Sequence, residues 1–180
     1  MTLTEKQKSE RARDRMIEKA KEYSTGTYSA KFVAPIFQKM VRAEAAAKPA
    51  GHVHAILDGE FHHVYRRVGE CVCVTCGKVG PWSSGLGGMH TGHFLGSRRA
   101  SILFDEANVA PQCSRCNVYE SGAPQQFRKW MLATRGPKTV ERLEELKRTT
   151  VSFSRDQLVD LKIHFAKRLA AAEANISDYP

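Results

Sequence analysis

The chain has 180 residues, 42% hydrophobic and 26% charged, enough to bury a core without covalent staples and too apolar for a disordered chain. No run of eighteen apolar residues occurs, and MTLTEKQKSERARDR at the start has no apolar leader stretch; a membrane-spanning helix and a secretory signal are excluded, and the cytoplasm is the expected compartment. Lys plus Arg is 28 against 19 acids, a net charge of +9, which favours a polyanionic partner, nucleic acid before an acidic membrane surface, over simple solubilising charge.

In chain order, residues 4–22 read as a solvated helix or arm with seven basic and five acidic side chains, opened by a capping box of Thr4 and Gln7. STGTYS (24–29) breaks it. Phe32, Val33, Ile36, Phe37, Met40 and Val41 then recur at helical spacing with Pro35 near the start, giving a second helix to about Ala47. Lys48-Pro49-Ala50-Gly51 is a linker, and residues 52–67 read as a helix. The glycine-rich stretch 81–92 reads as a loop. His93–Leu95 and Phe104–Ala110 read as short strands joined by the basic turn GSRRAS. Three helices follow: Pro124–Arg135, Pro137–Arg148, and one opened by Ser154 with Gln157 three residues on. Their apolar stripes, Trp130 included, are read as core-facing. The divisions expected are a helical arm (1–50), a compact metal-bound core (51–122) and a helical region packing on it (123–180).

Four of the five cysteines form two C-x2-C pairs, Cys73/Cys76 and Cys113/Cys116. Two intervening residues let both thiolates of a pair face one ion, and two such pairs complete a tetrahedral zinc site with no position left for a reacting water. Such a zinc is structural. Cys71 is expected to be a spare, partly buried thiol, although a register with Cys71 in place of Cys73 stays open. Paired redox dithiols are the competing reading.

The order cysteine pair, Gly-His-Phe, Asn-Val, C-x2-C-Asn resembles the HNH, or ββα-metal, nucleases. CVTCGK (73–78), HTGHF (90–94), LFDEANVAPQCSRCN (103–117) and SG (121–122) are similar to the NinG/Rap recombination proteins of lambda-like phages, over about residues 65–170. The resemblance implies an α+β, mostly helical fold. Its small zinc-bound ββα-metal core, treble-clef-like, is flanked by N- and C-terminal helices. The activity implied is metal-dependent, structure-selective cleavage of branched DNA recombination intermediates by phosphodiester hydrolysis. Carried over residue by residue, His93 matches the general base, Asn108 the residue that ties the inter-strand loop to the His-bearing strand, and Asn117 a ligand for Mg2+ or another divalent cation. Gly92 stands where many HNH nucleases have an acid or second His. His90 is the substitute ligand, although strand alternation puts positions 90 and 93 on opposite faces; Asp105 and Glu106 are further oxygen donors. Arg98, Arg99 and, more weakly, Arg115 are candidates for gripping phosphates. The two-fold character of branched DNA implies a homodimer. A zinc-stabilised DNA-binding or recombination-mediator module without catalysis is the alternative, and RNA binding a weaker one.

Overall fold

The computed structural model describes residues 4–83, 87–96 and 100–178. Local chemistry starts the outer helices. Thr4 caps α1 (Glu5–Ala20): its hydroxyl accepts the Gln7 N–H while the Gln7 side chain accepts the Thr4 N–H. Ser154 and Gln157 repeat this box at the start of α7 (Arg155–Ser177). The break after α1 falls at residues 21–24, so that only Ser24 of STGTYS lies in it. Ser24 caps a short α2 (Thr25–Tyr28), which passes through a widened turn at Ser29–Val33 into α3 (Ala34–Ala47), with Pro35 in the first turn of α3 where no N–H is needed. Carbonyls at the end of α3 and in the linker are collected by one buried guanidinium: Arg66 donates to the carbonyl oxygens of Ala46, Lys48 and Pro49.

The helix expected over 52–67 is instead a β-hairpin of β1 (Gly51–Leu57) and β2 (Glu60–Arg66). Asp58 and Gly59 between them both have positive φ, +48° and +84°, the turn that matches the twist of two antiparallel strands and that Asp-Gly favours. A second ribbon pairs β3 (Glu70–Val72) with β4 (Val79–Pro81), and a third pairs β5 (Met89–His93) with β6 (Val109–Cys113). The third is the expected pair displaced along the chain. Met89–His93 forms the strand inside a stretch read as loop, and the second strand starts at Val109, not Phe104. The residues between them hold α4 (Ala100–Leu103) and a tight turn at Glu106–Asn108. A five-residue helical turn, Arg115–Tyr119, follows β6, then α5 (Pro124–Thr134), α6 (Pro137–Arg148) and α7. The chain is α+β and mostly helical, and no helix among the described residues is long and apolar enough to cross a membrane.

Helices α1 and α3 lie along α7, and their shared core reaches β6: Val33, Phe37 and Met40 pack with Leu158, Val159, Phe165 and Val109. The rings of Phe37, Phe104 and Phe165 meet at centroid separations of 4.9 to 5.8 Å. A second core joins Ile56 of β1 and Val74 to Ile102, Phe127, Trp130, Met131 and Leu143. A third, small one surrounds the cysteines with Ala46 and Met89. The β5–β6 ribbon is therefore clamped from both sides, and the side chains at its ends have fixed places.

Candidate metal centre

The sulfurs of Cys73, Cys76, Cys113 and Cys116 all lie within 4.8 Å of one another. A tetrahedral ion at a metal–sulfur distance of about 2.3 Å needs sulfurs about 3.8 Å apart; Cys76 Sγ and Cys113 Sγ are 3.7 Å apart. Backbone bonds build the cup. Gly77, with φ +72°, donates to the Cys73 carbonyl, and Cys73 donates to that of Lys78. Burial pushes the Cys76 thiol up to about 11, and burial likewise raises Cys116. A divalent cation is the partner that lets such thiols ionise together, so these four cysteines can hold a metal ion such as zinc. Cys71 stands outside the quartet. It is buried, its Sγ lies 3.3 Å from the Arg42 carbonyl, and burial pushes it up to about 12.

Behind the sulfurs runs a hydrogen-bond chain that no motif marks. Gln112, fully buried on β6, donates through Nε2 to the Gly122 carbonyl and to Thr75 Oγ1. That leaves the Thr75 hydroxyl proton for Cys73 Sγ, 3.3 Å away, the kind of outer contact that orients metal ligands. Gln112 also explains Gly92. A Cβ on residue 92 would stand 1.9 Å from Gln112 Oε1, so the position where many HNH nucleases carry a ligand is filled from across the ribbon.

The pairing of functional side chains differs from the expected one. Asn117 follows Cys116 directly, and its Nδ2 lies 3.4 Å from Nδ1 of His90. His90 pairs across the ribbon with Gln112, so it stands on the face that Gln112 packs under. His93 shares the opposite face with Thr91, whose hydroxyl donates to the Gln38 carbonyl on α3. The Nε2 of His93 lies 3.3 Å from the Leu103 carbonyl oxygen, and burial lowers its pKa below the ordinary histidine value although the carbonyl opposes the shift. A neutral ring that donates Nε2–H to this carbonyl keeps Nδ1 as an acceptor. Strand alternation was therefore the right rule. It brings His90 to Asn117 without any bend, because the facing side is that of residue 90.

Asn108 ties the inter-strand segment to the end of β5. Its Oδ1 accepts the Leu95 N–H, and its Nδ2 donates to the Leu95 and Ile102 carbonyls. The two extra carboxylates are engaged elsewhere. Asp105 accepts from Arg142 and caps the Glu106–Asn108 turn, and Glu106 is held by Arg168, which also bonds Glu44. The Arg168 guanidinium is the first cause of the lowered Glu106 pKa. These pairings give both carboxylates partners on α6 and α7 and none at the His90–Asn117 pair. Arg115 is exposed on the turn before Asn117 and pairs with Glu120 at 2.7 Å. Arg98 and Arg99 lie outside the described residues.

The family model of the bacteriophage lambda NinG protein matches residues 3–175. This extends the likeness through the first 50 residues, where the motifs alone showed none. No curated protein and no solved structure matches.

Proposed function

Because the chain belongs to the lambda NinG family of phage recombination proteins, we propose that it is a metal-dependent, structure-selective DNA endonuclease that hydrolyses phosphodiester bonds in branched recombination intermediates. One observation carries this reading: a carboxamide anchored one residue past a four-sulfur cup stands 3.4 Å from an imidazole on the facing strand. The amide oxygen suits a hard divalent ion that keeps most of its water, such as Mg2+, and the imidazole nitrogen beside it suits a softer divalent cation; either ion would neutralise charge on the phosphate and the leaving oxygen. His90 and Asn117 are its ligands; zinc in the cysteine cup holds them in register. His93 is the base: the Leu103 carbonyl fixes its ring, burial keeps it neutral, and Nδ1 takes the proton from water. Asn108 holds the segment that carries Leu103. Arg115 grips the phosphate backbone, with Arg98 and Arg99. A homodimer would place two such sites on a branched substrate.

The test incubates zinc-loaded protein with four-way, flapped and linear DNA in Mg2+. Expected are cuts near branch points that vanish in His90→Ala, Asn117→Ala and His93→Ala, with DNA binding retained. The placement of His93 opposite the His90 face favours one second reading, a zinc-stabilised DNA-binding mediator without catalysis. Tight binding of branched DNA with no cleavage by the unaltered protein would select it.

A further inference from the structure

The β1–β2 hairpin carries a strip of rings that the candidate site does not use. The register places His52 and His54 of β1 on one face with Phe61, His63 and Tyr65 of β2. The rings touch in sequence: His52 with Tyr65 at 5.4 Å between centroids, His54 with His63 at 4.5 Å and with Phe61 at 4.7 Å. All five residues are solvent-exposed, Phe61 by 40% and Tyr65 by 54%. Exposed aromatic residues gathered in this way mark a contact surface, whereas scattered ones do not.

Charge selects the occupant. The hairpin's own carboxylates, Asp58 and Glu60, are confined to its turn, and Lys129 reaches that turn to donate to the Gly59 carbonyl. Arg67 follows Tyr65 by two residues and is exposed. Arg135 lies over the Trp130 ring, and Trp130 donates through Nε1 to the His54 carbonyl. The strip is thus a run of exposed rings, met edge to face or tilted, that still turn π surface to solvent, with cations around it. That combination receives unpaired nucleobases, because bases stack on the rings while the backbone meets the cations; bases inside a duplex cannot present their faces. The strip is also fixed to the metal cup. Ile56 of β1 donates to the carbonyl of Val74, which lies between two of the ligands, and Gly77 is packed against Leu57.

We propose that the outer face of this hairpin is a stacking platform for a single-stranded DNA segment, the unpaired arm of a branched or flapped substrate. The proposal rests on the DNA-endonuclease reading for its partner, and its test separates the two. Zinc-loaded full-length protein without Mg2+ is titrated against labelled oligothymidylate and against a duplex of equal length, read by fluorescence anisotropy. The unaltered protein binds both. Phe61→Ala/Tyr65→Ala loses tenfold or more in oligothymidylate affinity, the scale of a base losing its aromatic partner, while duplex affinity and zinc content stay unchanged. Phe61→Trp retains binding. Unchanged oligothymidylate affinity in the double variant, with zinc content intact, overturns the platform and leaves the endonuclease reading standing. Equal loss on both DNAs also overturns it. Failure of the unaltered protein to bind any DNA overturns both. A change in oligomeric state, with no change in DNA binding, overturns it in favour of self-association.

Discussion

Gly92→Ala is the sharpest test of the packing under His90. In an open strand the substitution would stabilise the protein, since alanine has less unfolded-state freedom to lose, by about 0.5–1 kcal/mol. Here the new Cβ would stand 1.9 Å from Gln112 Oε1 and 2.6 Å from its Cδ. The end of a glutamine yields readily when free, but this one is fully buried and anchored to Thr75 and Gly122. Moving it forfeits two hydrogen bonds at about 1 kcal/mol each and leaves the Gly122 carbonyl without this donor. The net expectation is destabilisation by about 1–3 kcal/mol, with zinc bound more weakly through the lost Thr75 contact to Cys73. Urea unfolding of zinc-loaded protein measures this as a lower midpoint at unchanged slope. In a Gln112→Ala background the same substitution should cost nothing, a coupling that a double-mutant cycle reads directly. A Gly92→Ala protein at least as stable as the parent would refute the reasoning.

Removing metal with a chelator should lower the melting temperature and speed amide exchange in β1 and β5 together, since both hang on the cup; exchange confined to the cysteine turns would count against that coupling. Metal affinity should fall as pH drops, because burial raises Cys76 and Cys116 and each must lose its proton; competition with a chromogenic chelator across pH checks the slope. For His93 the folded pKa lies below the unfolded value of about 6.5. The unfolded chain therefore binds the proton first, stability falls as pH drops below that value, and cleavage should stay at its plateau down to pH values where an exposed imidazole would already be charged; a pH–rate profile with an apparent pKa above about 6.5 speaks against His93 as the base. Glu106 has its pKa lowered by Arg168, so the link among α3, α7 and the Glu106–Asn108 turn is present above the unfolded carboxylate pKa and is lost in acid. Arg168→Ala should cost about 1–2 kcal/mol at neutral pH, discounted for partial exposure, and progressively less as acid protonates Glu106.

What could be read from the chain depended on the range of the interactions involved. The two capping boxes, Thr4 with Gln7 and Ser154 with Gln157, are three-residue devices, and both form as expected. So do the proline-led α5 and α6. The cysteine spacing was legible because one ion imposes one geometry. The helix reading of 52–67 fails although Asp58-Gly59 between two strand-length runs is a hairpin signal; the apolar residues Val53, Ile56 and Val64 fit a helix nearly as well, and pairing across the hairpin decides between the two. The β5–β6 register was unreadable locally, because glycines at 87, 88 and 92 masked a strand that needs β6 to exist. That shift is what exchanged His93 for His90 as the partner of Asn117. Gln112 could not be anticipated either, since a buried amide takes its meaning from partners 37 and 10 residues away.

The pairing of α1 and α3 with α7 has a consequence for synthesis. The salt link between Arg168 and Glu44 spans 124 residues, and Phe37 rests on Phe165. A nascent chain leaves the ribosome with the apolar side of its early helices bare until α7 emerges, while the cysteine loop can already capture its ion. The packing of α1 and α3 on α7 closes last, over a centre that is already set. A message cut short before α7 would yield a protein with a loaded cup and an open flank, prone to aggregate rather than to act.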